Sequence, residues 1–148
     1  MKPLALTSSL LAIVGSVVSL TLPATAINVA YFAKTTQGFD LPYYGGQELR
    51  LAEIVLPRGK WVINYSATAV NRALNDTVRC YVRAKETGEM ISIHAAQVGL
   101  VAGTAFASTI SGVTVVNLNE QTTMVLTCTH DGTGSGPYIE YGAEIAAY

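Results

Sequence analysis

The stretch Lys60-Trp61-Val62-Ile63-Asn64-Tyr65-Ser66-Ala67-Thr68-Ala69-Val70 decides the fold class. Trp61, Ile63, Tyr65, Ala67 and Ala69 share one side of an extended chain. Val62, Asn64, Ser66, Thr68 and Val70 share the other. Side chains alternate with a period of two only in a strand, so this run predicts a β-strand with one buried face. Pro57-Arg58-Gly59 before it and Asn71 to Asp76 after it supply turn residues.

The same grammar extends in both directions. Ile27 to Lys34 reads as a first strand, and Thr35 to Gly46 as a long loop with Gly38, Pro42, Gly45 and Gly46. Glu48 to Val55 reads as a second strand that carries Leu49, Leu51 and Glu53 on one face. Thr77 to Ala84 places Val78, Cys80 and Val82 inward and Arg79, Tyr81 and Arg83 outward. Met90 to Ala96 and Ser108 to Asn117 read as strands, with a Gly- and Ala-rich segment from Val98 to Phe106 that is a loop or a short helical turn. Thr122 to His130 puts Met124, Leu126 and Cys128 on one face. Asp131 to Pro137 is a Gly-rich loop, and Tyr138 to Tyr148 a last strand. No stretch shows the helical period, and there is no internal repeat. About eight strands at spacings near ten residues predict an antiparallel β-sandwich of jelly-roll type. An immunoglobulin domain places its Trp between its two cysteines, whereas Trp61 precedes both. A membrane barrel needs an apolar outside, and here the outward positions carry Arg79, Arg83 and Glu140.

Residues 1–26 stand apart. Lys2, the apolar stretch Leu10 to Leu22, Pro23 and then Ala24-Thr25-Ala26 have the layout of a cleaved secretory signal peptide. The apolar part is too short and too interrupted by Gly15, Ser16 and Ser19 to span a bilayer. Residues 27–148 are then a single domain, and the expected location is secreted, periplasmic or cell surface. Cys80 and Cys128 both sit at inward strand positions. An even cysteine count in an exported chain reads as a disulfide, the alternative being two buried thiols. Closing that loop stabilises by about 4 kcal/mol in the chain-entropy model.

Without Lys2 the chain has eight basic and ten acidic residues. That balance carries no electrostatic footprint for nucleic acid, nor for an anionic membrane surface. No cofactor loop is present, so no cofactor is expected. His94, His130, Asp131 and Ser108 or Ser111 make a Ser-His-Asp trio only on paper, because no Gly-x-Ser-x-Gly elbow accompanies them. His94, His130 and Asp131 are a poor zinc set, and the 131–136 loop offers a single carboxylate for calcium. The reading is therefore non-enzymatic. Tyrosine is the abundant aromatic, with eight in the chain. Tyr43 and Tyr44 in a Gly-rich loop, Tyr81 between two arginines, and Tyr138 and Tyr141 near the last strand are the interface candidates. Trp61 is the candidate core anchor. Asn64-Tyr65-Ser66 and Asn75-Asp76-Thr77 match the N-glycosylation pattern.

One family likeness is visible. Leu56-Pro57-Arg58-Gly59-Lys60-Trp61-Val62-Ile63 resembles the Leu-Pro-x-Gly-x-aromatic start of a core strand in tumour-necrosis-factor-like jelly rolls. That superfamily includes complement-type globular heads and small exported bacterial relatives. Val78-Arg79-Cys80 and Leu126-Thr127-Cys128-Thr129-His130 resemble later strands of the bacterial members. So does Gly136 through Tyr148, while the middle of the chain is unmatched. The resemblance implies a structural or binding protein whose partner is first of all itself, in a homo-oligomer with a trimer favoured. It transfers no catalytic residue. A fibre subunit assembled by strand exchange at Ile27–Lys34 is the alternative, and a small hydrolase or carbohydrate-binding module a weaker one. Beyond itself, an unknown protein or glycan is the expected ligand.

Overall fold

A computed structural model describes residues 30–100, 106–134 and 136–148. Residues 1–29, 101–105 and 135 lie outside the described part, so the expectations for the signal peptide, for the start of the first strand at Ile27 and for most of the 98–106 segment are not addressed by it.

Among the described residues ten strands are formed: β1 Tyr31–Lys34, β2 Phe39–Asp40, β3 Leu49–Leu56, β4 Gly59–Val70, β5 Asp76–Ala84, β6 Met90–Val98, β7 Ala107–Leu118, β8 Thr122–His130, β9 Tyr138–Ile139 and β10 Glu144–Ala147. They build two antiparallel sheets. In one, β1 pairs β10, β10 pairs β4, and β4 pairs β7; short β2 and β9 extend the end of β4. The other runs β3-β8-β5-β6. The orders β1-β10-β4-β7 and β3-β8-β5-β6 are the double Greek key of a jelly roll.

The long strand works as read. Ile63, Tyr65, Ala67 and Ala69 are buried, and all twelve residues of β4 pair with β7, from Gly59 opposite Leu118 to Val70 opposite Ala107. Gly59 has φ near +153°, a conformation that suits glycine, where the chain turns into β4. The core between the sheets gathers Ile54, Leu56, Ile63, Val78, Val82, Met124, Leu126, Ile139 and Ile145. Cys80 and Cys128 face each other in register on β5 and β8 and form the disulfide.

Three strand expectations are corrected. In β3 the register shifts between Arg50 and Ala52, so Ile54 and Leu56 point inward and Glu53 faces solvent. One extra residue in a strand moves everything beyond it to the opposite face. The last segment is two strands, because the chain turns at Tyr141-Gly142, with φ of +91° at Gly142. Thr35 fixes that turn: its hydroxyl accepts from the amides of Gly142 and Ala143 at 3.1 and 3.0 Å. The 35–46 loop contains β2.

Candidate functional site: an open sheet face

The two sheets end in unlike outer surfaces. Outside β3-β8-β5-β6, long charged side chains lie over the sheet. Arg83 pairs with Glu48 at 2.7 Å, Lys85 with Glu53 at 3.0 Å, and Arg79 with Asp131. Beneath them Tyr81, Val125 and Thr127 are almost fully buried although they point away from the core. The Arg83 guanidinium stacks 4.9 Å from the centre of the Tyr81 ring. Burial and the adjacent Glu48 push the Tyr81 phenol well above its ordinary range.

Among the described residues, the outer surface of β1-β10-β4-β7 has no such cover. Its rows follow from the registers. Val115 lies opposite Val62, whose other side pairs with Tyr148 through reciprocal backbone bonds of 2.9 and 3.2 Å. Val113 lies opposite Asn64, then Ala146, then Phe32. The third row is Ser111, Ser66, Glu144 and Lys34, the last two loosely paired at 3.8 Å. Phe32, Val113, Val115 and Tyr148 are all more than half exposed. Two apolar rows thus border one nearly neutral polar row.

The sequence pattern explains why this face was missed. Along β7 the inward positions are Ile110, Gly112, Thr114 and Val116, while Val113 and Val115 point outward. The middle of the strand carries its larger apolar side chains on the wrong side for a core. Only Ile110 and Val116 fix the register. An apolar run Val113-Thr114-Val115-Val116 without clean alternation was the available signal.

The residues singled out from sequence are dispersed. Tyr43 and Tyr44 are exposed on the β2–β3 loop with rings edge to face at 5.1 Å, and the Tyr43 carbonyl accepts from the Gly134 amide at 2.8 Å. Tyr138 lies on β9 and its hydroxyl donates to Glu140 at 3.3 Å; Tyr141 is exposed at the following turn. None of these four belongs to the apolar rows. Tyr81 does face outward between two arginines, but only 3 % of it is accessible, so it offers a partner no ring area. Trp61 is half-buried at one end of the core. It packs edge-on against Tyr31 at 5.2 Å, and its indole N–H donates to the Pro57 carbonyl at 2.9 Å.

The two histidines have separate partners. His130 is buried on β8; its Nδ1 lies 2.7 Å from Asp76, and Nε2 donates to the Pro42 carbonyl at 2.6 Å. Asp76 in turn accepts from the Gly132 amide at 3.0 Å, so this pair fastens two loops to the end of β5. Asp131 is occupied by Arg79. His94 on β6 points across the open side of the sandwich to the Tyr65 hydroxyl, 2.7 Å from Nδ1, and Ser92 lies 3.2 Å from the same hydroxyl. Burial raises the Tyr65 phenol above its ordinary value. Among the described residues no three His, Cys, Asp or Glu side chains converge as a metal set. No helix among them is long and apolar enough to cross a membrane.

No family model matches the chain, and no curated protein matches it in sequence. Solved structures match it in fold. A chain of the infectious bursal disease virus Gx strain superposes with a TM-score of 0.56 at 15% identity, over 80% of this chain and 32% of that one. The VP2 subviral particle of the same virus gives 0.50 at 10% identity, over 80% and 32%. Eiger TNF from S. frugiperda gives 0.50 at 7% identity, over 80% and 88%. The chain therefore spans about a third of the viral chains and most of the Eiger chain. What it shares with them is the jelly-roll fold.

Proposed function

We propose that this chain is an exported, non-enzymatic jelly-roll subunit that associates with copies of itself through the outer face of β1-β10-β4-β7, with a trimer as the favoured assembly. The observation that carries the reading is the pair of open apolar rows built from Phe32, Val62, Val113, Val115 and Tyr148. Contiguous exposed apolar surface of this kind marks an interaction site in a folded domain. A second copy is the fitting occupant. The only charges in the three rows are Lys34 and Glu144, which offset each other, so the face presents no net charge to a neighbouring copy.

The fold adds support. VP2, whose jelly roll superposes on this one, forms a subviral particle, and the strand-start motif resembles the tumour-necrosis-factor-like superfamily. The strand-exchange fibre has less support, because the edge of β10 is already paired with β1 of the same chain, Tyr31 opposite Ala147 through Lys34 opposite Glu144.

A cysteine placed on each face tests the reading. Val113→Cys and Val55→Cys are both exposed substitutions, on the open and the sealed sheet respectively. Mild oxidation should cross-link Val113→Cys into dimers on a non-reducing gel while Val55→Cys stays monomeric. Equal cross-linking of both, or of neither, would remove the assignment of this face.

A further inference from the structure

The polar side of the open face contains a pocket of about 490 Å³, lined by Asn64, Ser66, His94, Ser111, Gly112 and Glu144 among others. Gly112 in its lining is an inward position without a side chain. A Cβ there would lie 2.5 Å from His94 Nδ1 and 2.7 Å from the Tyr65 ring. Tyr65, opposite Gly112 in the unbroken β4–β7 pairing, and His94, bonded to the Tyr65 hydroxyl, therefore lie against Gly112 on the inner side of the sheet, directly behind the pocket.

The polar groups around the pocket are incompletely used. Asn64 Oδ1 is buried with no hydrogen-bond partner, while its amide nitrogen donates to the Tyr148 hydroxyl. A buried acceptor left unpaired costs about 1–3 kcal/mol, so a group that donates to it is favoured. Tyr65 occupies His94 Nδ1, which leaves Nε2 as the second ring nitrogen. Ser66 and Ser111 add hydroxyls that can both donate and accept. Glu144 adds a carboxylate whose charge is offset by Lys34. Ala146 and Val113 form an apolar lip. Several acceptors and hydroxyls with no net charge, beside a small apolar surface, match the chemistry of a pyranose: hydroxyls on its rim and C–H groups on its face. The volume falls within the roughly 300–1,000 Å³ typical of small-molecule sites.

We propose that this pocket binds a neutral pyranose unit, free or as the terminal residue of a glycan, with Asn64, Ser66, Ser111 and Glu144 as its hydrogen-bonding groups. The site shares Asn64, Val113 and Ala146 with the self-association face, so a bound sugar and a second copy compete for this surface.

The test is a titration of the ¹⁵N-labelled protein with the methyl glycosides of glucose, galactose, mannose and N-acetylglucosamine, followed by amide spectra. At least one probe should shift the Gly112 amide and the Asn64 side-chain amide saturably. A disaccharide that carries the same sugar at its non-reducing end separates the two sources: equal or tighter binding indicates a glycan terminus, and weaker binding a free sugar. Ser111→Leu fills the pocket from an exposed position and leaves the core untouched, so it should fold normally and bind about tenfold more weakly or worse. Gly112→Ala should abolish the shifts by displacing His94; if it fails to fold, Ser111→Leu still decides. No saturable shift with any of the four probes, or shifts undiminished in Ser111→Leu, would overturn the proposal.

Discussion

The two outer faces of this sandwich are built from similar strands and finished in opposite ways. On β3-β8-β5-β6, apolar and aromatic groups such as Val125 and Tyr81 point outward but are covered by Arg83, Glu48, Lys85 and Glu53. On β1-β10-β4-β7, Phe32, Val113, Val115 and Tyr148 also point outward, and no described residue covers them. Long amphipathic side chains shield apolar surface with their stems while their charges stay wet. The first face is covered over its middle within one chain, with Val55 and Ile93 left exposed on its edge strands. The second has the composition of a surface finished by another molecule.

Perturbing each face should give a different kind of effect, and the largest belongs to the sealed sheet. Cys80→Ala with Cys128→Ala removes the link between β5 and β8, a closed loop with a sequence separation of 48. Chemical denaturation should show a loss of about 4 kcal/mol. Solution mass should be unchanged, since neither sulfur reaches the open face. A lost oligomer at a denaturant-free, fully folded state would show that the two faces are coupled and weaken the contrast.

A smaller effect is expected from Arg83→Ala. It removes the ion pair with Glu48 and uncovers the Tyr81 ring, for about 1–2 kcal/mol in the same denaturation assay. Binding of a hydrophobic dye should rise with it, because an exposed aromatic replaces a covered one. A variant with unaltered stability and dye binding would mean that the charged layer is not what seals this sheet.

How much of this was legible in the sequence depended on whether alternation was clean. Along β4, β5 and β8 it was, and Tyr65, Cys80, Cys128, Met124 and Leu126 all lie where the period of two places them. In β3 a single bulge between Arg50 and Ala52 reversed the face of Glu53. A bulge depends on pairing with β8 and leaves no local mark. The end of the chain read as one strand because the turn at Gly142 is held by Thr35, more than a hundred residues away. The open face was the hardest part. Sequence reasoning sought interfaces among tyrosines, yet its exposed apolar rows rest mainly on Phe32, Val113 and Val115, with Tyr148 the single tyrosine. Which side of β7 faces solvent is set by its partner β4 and not by β7's own mixed pattern. The pocket at Gly112 was equally hidden, because an absent side chain matters only once Tyr65 and His94 are placed against it.

The claim that the open face is finished by a second copy is tested most directly by solution mass. Light scattering on residues 27–148 and on the Val113→Asp/Val115→Asp variant, each across a dilution series, gives the answer. Both positions are exposed, so the variant should stay folded, with a stability change of about 1 kcal/mol or less. The account predicts a discrete oligomer for the wild-type chain, a trimer by preference, and a monomer for the variant at every concentration. A wild-type chain that is monomeric throughout, or an oligomer that survives both aspartates, would contradict it.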